Sequence, residues 1–356
     1  MRVINRSRLT VRREERGASI VIVLLAIVAI LGMAAFVLDI GALRQERRSL
    51  QNGADAAALA VVRDCINGDC GSVAATAKTY ADSNADDKKA KVDQICGWAK
   101  NGTMPACSGV VTSPSRATGW VQAKTSTLDN AGNTQILYGF GRIFGLTGRT
   151  VDATAYTAWG PPDRVTGPPI MMADCEYQRW KSSGGADIVI KNVYDNPGCA
   201  NGGGNPSGGF TWQNSGSVCT AETISSDLSG LDVAEITPQG TGNNKATRPP
   251  SGCSSTEIHA LKNQLVRIPI WNSSIDCGGH LQYTIVGFAL FRITGIQEKT
   301  PDITWNVTKV ECPDGRCLKG HFETLVETAK AKFGGNDYGI LTYRYFNADD
   351  PEGNFT

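Results

Sequence analysis

The chain has 356 residues and a formal net charge of +1 at pH 7, with 35 Lys and Arg against 34 Asp and Glu. This balance gives no reason to expect a nucleic-acid partner, because nucleic acids bind strongly basic surfaces. Forty glycines and only 19% charged residues indicate a loop-rich, β-rich chain and exclude the highly charged composition of a disordered tail.

A long apolar run lies near the start of the chain. Residues 18–38 read ASIVIVLLAIVAILGMAAFVL and contain no charged side chain. A helix rises about 1.5 Å per residue, so a run of this length covers the roughly 30 Å of bilayer hydrocarbon and predicts a transmembrane helix. A cleaved secretory signal is the alternative, but its apolar region has about 7–15 residues and ends at a small-residue cleavage site. With this anchor, the chain length favours two further domains.

Arginines on the two sides of the run predict its orientation. Six precede it and three follow it within twenty residues: Arg2, Arg6, Arg8, Arg12, Arg13 and Arg16, then Arg44, Arg47 and Arg48. Basic residues favour the cytoplasmic side. We therefore expect a single-pass cell-membrane protein with a basic cytoplasmic segment, residues 1–17, and extracytoplasmic C-terminal domains.

All eleven cysteines follow the apolar run: Cys65, Cys70, Cys96, Cys107, Cys175, Cys199, Cys219, Cys253, Cys277, Cys312 and Cys317. Outside the membrane such cysteines are most simply disulfides. Two pairs, Cys65 with Cys70 and Cys312 with Cys317, have four-residue spacing in place of the two-residue spacing typical of structural zinc sites. We predict disulfide-closed turns there and no metal site, and the odd total leaves one cysteine free or paired with another chain.

The helix is expected to continue beyond the membrane, because residues 39–63 contain no proline. One helical face carries mostly small apolar residues, namely Leu43, Leu50, Ala54, Ala57, Ala58 and Val61. Small side chains permit close approach of another element. This candidate assembly face could pack on the following domain of the same chain or on neighbouring subunits, and the sequence leaves both alternatives open.

Three strings in this region resemble the N-terminal module of TadE/TadG-like proteins of the tight-adherence (Flp) pilus systems. They are residues 16–18 (RGA), 38–41 (LDIG) and 50–60 (LQNGADAAALA). The resemblance implies a bacterial, membrane-anchored minor pilin or accessory assembly factor whose partners are other pilin-like subunits or the pilus secretion platform. It implies no catalysis and no cofactor. Pilin-type processing would cut after Gly17, and the fifth mature position then holds Ile22 in place of the expected glutamate.

A pilin-like α+β domain is expected over residues 39–160. Alternation and apolar clustering predict a strand at 119–128, a helix at 135–144 and a strand at 150–159, with a further helix at 72–86. TadE/TadG-like proteins are similar in following their long helix with a small sheet of this kind. Four cysteines here allow three pairings, of which we favour Cys65 with Cys70 and Cys96 with Cys107.

Two proline pairs predict a Pro/Gly linker at residues 161–169, because proline disrupts regular elements. Residues 170–356 then form a disulfide-rich, mainly β domain. Its expected strands are 188–190, 265–271, 281–294, 302–310 and 338–346, and its expected helices are 254–264 and 323–332.

Catalytic and ligand-binding signals in the second domain are weak. His259, His280 and His321 are the only histidines, and none belongs to a known catalytic motif. Six aromatic residues are candidates for a glycan-stacking surface: Tyr177, Trp180, Trp212, Trp271, Tyr283 and Trp305. Tryptophan in a disulfide-rich β domain, however, more often fills the core. Two functions remain, a non-enzymatic pilus assembly component, or a surface adhesin or cell-envelope binding protein on a pilin-like anchor.

Overall fold

The computed structural model describes residues 15–192, 208–224, 248–276, 281–328 and 333–345, apart from the single positions 110, 115, 130, 214, 216, 300 and 335. The predicted fold class is confirmed. One N-terminal apolar helix continues into mixed helix and sheet structure, and strands dominate the rest of the described chain. The chain forms two compact units.

The first helix, α1 (Glu15–Ile66), has 52 residues. It contains no proline and extends from the apolar run into the water-soluble part of the chain. It ends just before Gly68, whose positive φ of 102° suits a residue without a Cβ. The predicted Cys65–Cys70 disulfide closes this turn.

The elements up to residue 160 follow in chain order. They are α2 (Val73–Asn84), β1 (Lys91–Ala99), β2 (Gly119–Ser126), β3 (Ile136–Leu137), a 3₁₀ helix (Gly141–Phe144), β4 (Gly148–Arg149) and β5 (Asp152–Gly160). The first compact unit comprises residues 1–61, 71–96 and 122–155. Strands β1, β2 and β5 lie side by side in that order.

Helix α2 packs closely against α1 in the first unit. A Cβ at Gly53 of α1 would lie 3.0 Å from the carbonyl oxygen of Ala81, so glycine permits this approach. At the end of α2, the backbone N–H of Asp86 donates to Ser49 Oγ at 2.8 Å, and Gln45 Nε2 donates to the Asp86 carboxylate at 2.7 Å. Small residues in α1 therefore serve the packing of the chain on itself.

Strands β2 and β5 are held to α1 by side-chain hydrogen bonds. Thr125 Oγ1 of β2 donates to the carbonyl oxygen of Leu50 at 3.0 Å. Gln51 Nε2 donates to the carbonyl oxygen of Thr154 in β5 at 3.3 Å. One bond runs from β2 to a carbonyl of α1 and the other from α1 to a carbonyl of β5, so together they fix the helix relative to the sheet.

The second unit comprises residues 62–70, 97–121 and 156–356. Its elements beyond β5 are β6 (Arg164–Gly167), β7 (Ile170–Ala173), α3 (Asp174–Ser182), β8 (Ile188–Lys191), β9 (Phe210–Trp212), β10 (Ala221–Ile224), α4 (Ser255–Ala260), β11 (Leu265–Asp276), β12 (Leu281–Lys299), β13 (Asp302–Trp305), β14 (Cys317–Glu323), β15 (Leu325–Thr328), β16 (Asn336–Tyr338) and β17 (Ile340–Tyr345).

A large sheet forms the centre of the second unit. Its main order is β8-β14-β12-β11-β7-β9, and β13 and β16 also pair with β12. Alternate residues of β12 face opposite sides: Phe291 and Ile293 lie in one apolar core, Phe288 and Leu290 in another. The sheet is therefore covered on both faces, which explains the long apolar runs of its central strands.

Most predicted strands and helices of the two regions are present, but the strand predicted at 302–310 ends at Trp305 and two predicted helices differ. Residues 135–144 form a short strand and a 3₁₀ helix in place of the predicted helix, because Gly139, Gly141 and Gly145 interrupt it. The prediction of a helix at 323–332 is wrong over the described residues 323–328. Residue 323 ends strand β14 (Cys317–Glu323), and β15 covers Leu325–Thr328. Pairing of these strands with β12 and β17 overrides their local helix propensity.

The predicted linker also differs. Residues 164–167 form β6, which pairs with β10, and Asp163 is buried. The prolines lie outside this strand, so its backbone N–H groups remain free to pair.

Disulfides follow the predicted pattern where the structure describes them. The short-range pairs Cys65–Cys70 and Cys312–Cys317 are confirmed, and Cys219 pairs with Cys253. Cys96, Cys107 and Cys175 are also disulfide-bonded. Cys199 and Cys277 lie outside the described residues.

Candidate membrane-proximal site

The N-terminal half of α1 exposes large apolar side chains along its length. It is the one helix of the described chain that is long and apolar enough to cross a membrane. Leu25 is 67% exposed and Val28 is 68% exposed, and their neighbours are similar. Such exposure is unfavourable in water and natural in lipid. The helix therefore fits a single-pass anchor.

The last part of α1, from Ser49 to Val62, is largely buried instead. Of the candidate assembly face, Leu50, Ala54, Ala57, Ala58 and Val61 are all at most 1% exposed, while Leu43 is half-buried. The face is thus covered within the chain, which corresponds to the first of the two alternatives left open by the sequence. A neighbouring subunit would have to contact other parts of α1.

Asp39, the first charged residue after the apolar run, holds a distant loop. Its Oδ1 accepts the backbone N–H of Gly139 at 2.9 Å, and its Oδ2 accepts that of Gly141 at 2.7 Å. The N–H of Phe140 lies within 3.3 Å of both oxygens. Hydrogen bonds to an ionised carboxylate are stronger than neutral ones, so this carboxylate is a firm attachment point.

The attached loop belongs to a small hairpin, residues 136–149, which we name the collar hairpin. Strands β3 and β4 pair Ile136 with Arg149 and Leu137 with Gly148. A Cβ at Gly148 would lie 2.4 Å from the carbonyl oxygen of Ile136, so this position requires glycine. The hairpin is closed by the 3₁₀ helix and by the bond from Leu146 N–H to the Gly141 carbonyl.

Two clefts lie between α1 and the collar hairpin. One is apolar and is lined by Leu146 together with Ala29, Gly32, Met33, Phe36 and Val37 of the apolar run. The other has a volume of about 290 Å³, and its polar lining includes Arg44, Arg47, Arg149, Thr150 and Asp152. The hairpin therefore flanks α1 on both sides of Asp39.

Two carboxyl groups of α1 that follow Asp39 in the chain, those of Glu46 and Asp55, have raised pKa values. Burial raises the pKa of Glu46, a hydrogen bond with Thr127 opposes the change, and the nearby Asp87 and Asp86 add to it. Burial likewise raises the pKa of Asp55 against a hydrogen bond from Gln51. These groups lie where the helix enters the protein interior.

The second unit contains one histidine cluster, at the surface of the large sheet. His321 Nδ1 lies 2.6 Å from Asp187 Oδ1, and Thr294 Oγ1 donates to Asp187 Oδ2 at 2.5 Å. Partial burial of Asp187 opposes the change, but these bonds lower its pKa. Threonine and histidine bind the same carboxylate and not each other, so the cluster lacks the nucleophile-to-base bond of a hydrolase. No group of three metal-binding side chains occurs among the described residues.

The aromatic residues considered for glycan stacking belong to the core. Trp212, Trp271 and Tyr283 are at most 2% exposed. Tyr177, Trp180 and Trp305 are partly buried and pack against the apolar core of the sheet. Three of the six therefore fill the interior, and the other three expose only part of their rings. His280 lies outside the described residues, and His259 is exposed on α4.

Sequence reasoning missed the link between Asp39 and residues 139–141. The available signal was a charged residue at the end of an apolar helix together with alternating glycines in YGFG, residues 138–141. Glycine leaves backbone N–H groups accessible to a carboxylate. The separation of 100 residues in the chain hid the pairing.

These features define a class, a membrane-anchoring helix that continues into a small α+β unit. Residues 17–64 match the family model described as putative Flp pilus-assembly TadE/G-like. The match covers nearly all of α1, so this segment is similar to the N-terminal module of proteins linked to Flp pilus assembly. No curated protein and no solved structure matched the chain.

Proposed function

We propose that this chain is a non-enzymatic, membrane-anchored component of a tight-adherence pilus, acting as a minor pilin-like subunit or an accessory assembly protein. The single observation that carries the proposal is the Tad match over residues 17–64, which coincides with one continuous helix. The membrane half of that helix exposes large apolar side chains along most of its length. It is the part available to other pilin-like subunits or to the secretion platform.

The charge bias of the sequence supports a cytoplasmic N-terminus and extracytoplasmic units. Disulfides at Cys65–Cys70, Cys219–Cys253 and Cys312–Cys317 support the same placement, because such bonds persist in oxidising compartments. The second unit then has the role of an outer cap or stabiliser. Adhesion would need an exposed binding surface there, and of the six aromatic residues that suggested one, Trp212, Trp271 and Tyr283 are buried and the others are partly buried.

The test changes the sequence of the membrane anchor but keeps a transmembrane helix in its place. Residues 18–38 are exchanged for an unrelated Leu/Ala transmembrane helix of the same length, which keeps membrane insertion but changes every lateral contact. We expect the native host to lose surface pili while the chain stays in the membrane fraction with its disulfides formed. As a control, the same host carries a variant in which only residues 20–23 are exchanged, each for another aliphatic residue (Leu, Ile or Val), and the rest of the anchor is native. Normal pili with the foreign anchor would contradict an assembly role for this helix.

A further inference from the structure

The collar hairpin exposes more apolar surface than a water-soluble loop of its size needs. Leu137 is 50% exposed, Phe140 42%, Ile143 77% and Leu146 50%. Each of these side chains would gain roughly 25 cal/mol for every Å² removed from water. Their clustering in one hairpin therefore marks an interaction surface.

The attachment to Asp39 fixes the level of this surface relative to the apolar run. Leu146 lies against Ala29, Gly32, Met33, Phe36 and Val37, all of which are inside residues 18–38. Gly32 is seven residues before Asp39, so a rise of about 1.5 Å per residue places it roughly 10 Å below the first charged group. The surface is thus continuous with the part of α1 that lies in lipid.

Basic side chains lie on the other side of Asp39. Arg44, Arg47 and Arg149 line one cleft, and Asp152 is the acidic residue in it. None of these arginines forms an ion pair with another described residue. Arg44 and Arg47 lie about 8 and 12 Å beyond Asp39 by helical rise. The headgroups extend about 5–8 Å beyond the hydrocarbon, so Arg44 lies near their outer edge and the long side chain of Arg47 reaches back toward them.

We propose that the collar hairpin and α1 form a binding site for an anionic phospholipid of the outer leaflet. The apolar side chains of the hairpin enter the acyl-chain region beside residues 29–37. The cleft of Arg44, Arg47 and Arg149 holds the headgroup phosphate through charge-assisted hydrogen bonds. The hairpin thereby fixes the depth and tilt at which α1 leaves the membrane. This inference does not depend on a role in pilus assembly.

The first experiment locates the hairpin by photo-crosslinking. The full chain, with p-benzoylphenylalanine at position 143, is reconstituted into vesicles of phosphatidylcholine and phosphatidylglycerol at seven to three and irradiated. Mass spectrometry of the peptides should reveal lipid adducts at residue 143. The control carries the probe at Tyr80, an exposed residue on α2, which packs at Gly53, about 22 Å of helical rise beyond Leu38. We expect at least about tenfold fewer adducts there. Absence of lipid adducts at 143, or capture of a second copy of the chain instead, would overturn the proposal.

The second experiment tests the headgroup cleft. Adduct masses at residue 143 identify which lipid was captured. We expect phosphatidylglycerol to be enriched about fivefold over its share of the bilayer, the order of effect of one basic side chain near anionic lipid. The R44Q/R149Q variant should reduce the enrichment to the bulk ratio, whereas Lys89→Gln, an exposed substitution between α2 and β1, should retain it. An unenriched wild-type chain, or an unchanged R44Q/R149Q variant, would contradict the headgroup site.

Discussion

The two halves of α1 differ in their surroundings although they form one continuous helix. The large apolar side chains between Ile20 and Leu38 are exposed in the chain alone. Within residues 50–61, five of the twelve positions are alanine, and Leu50, Ala54, Ala57, Ala58 and Val61 are buried against the chain's own residues. Size explains the difference, because side chains that face lipid need bulk and no partner, whereas close approach to α2 at Ala81 needs small ones. Apolar character alone therefore does not identify which part of a helix is the core.

The largest effect should come from a charge in the buried half. Ala57→Arg places an unpaired guanidinium at a position with 0% exposure, and it also overpacks the site. We expect a loss of about 3–5 kcal/mol, enough to unfold the first unit. Limited proteolysis in detergent would show cleavage within residues 71–96. Ala42→Arg, on an exposed part of the same helix, is the matched control and should remain resistant.

Truncation of a leucine to alanine in each half of α1 should distinguish a core residue from a lipid-facing one by its effect on stability. Leu50→Ala removes a side chain that is 1% exposed and should cost about 2–5 kcal/mol. Leu38→Ala removes one that is 61% exposed and should leave the unit's stability unchanged. Native-state hydrogen exchange of amides 54–61 measures both. Equal effects of the two substitutions would remove the distinction between the halves.

Two glycines of α1 should respond with opposite signs. At Gly53 an added Cβ meets the Ala81 carbonyl at 3.0 Å, so Gly53→Ala should destabilise the unit by about 1 kcal/mol despite the gain in helix propensity. At Gly41 nothing lies within 4 Å, so Gly41→Ala should stabilise the helix by about 1 kcal/mol. Thermal unfolding of each variant in the same detergent decides the signs. Stabilisation by Gly53→Ala would show that α2 packs less closely than described.

Loss of the Asp39 carboxylate should act locally. Asp39→Ala removes the acceptor of the N–H groups of residues 139–141, and charged hydrogen bonds contribute about 1.5–3 kcal/mol each. We expect hydrogen exchange at these amides to accelerate at least about tenfold. Asp129→Ala should accelerate only residues 131 and 133, whose N–H groups the Asp129 carboxylate accepts. Unchanged exchange at 139–141 would rule out Asp39 as the attachment point.

The smallest effect concerns pH. Burial raises the pKa of Glu46 above its ordinary value of 4.5, so the folded state retains this proton more readily than the unfolded state. The resulting stability is present below pH 4.5 and is lost as the pH rises through the folded pKa. Glu46→Gln should therefore stabilise the first unit at pH 7 and change little at pH 4. Denaturant midpoints at both pH values check this.

Glu257 of α4 is a control whose pKa is shifted in the opposite direction to that of Glu46. The backbone N–H and hydroxyl of Ser254 lower the pKa of Glu257, so its stability contribution is present at neutral pH and lost on acidification. Glu257→Gln should therefore destabilise its helix at pH 7. A Glu46→Gln variant that behaves in the same way would contradict the burial of Glu46.

Local patterns predicted what depends on local physics. The apolar run, the helical extension through Val61 and the short-range disulfides follow from composition and spacing. Long-range pairing was not accessible in this way. The strands at 317–328 exist because distant partners, β12 and β17, align them. The collar hairpin is likewise placed by Asp39, 100 residues earlier, and single-chain periodicity carries no trace of that bond.

The most direct test of the account is photo-crosslinking in the native host from the two halves of α1. The probe p-benzoylphenylalanine is placed at Val28, which is 68% exposed, and separately at Ala57, which is 0% exposed. We predict that position 28 captures pilin-like subunits or the pilus secretion platform, while position 57 crosslinks only within its own chain. Capture of other subunits from position 57 alone would contradict the division of α1 into an outward membrane half and an inward core half.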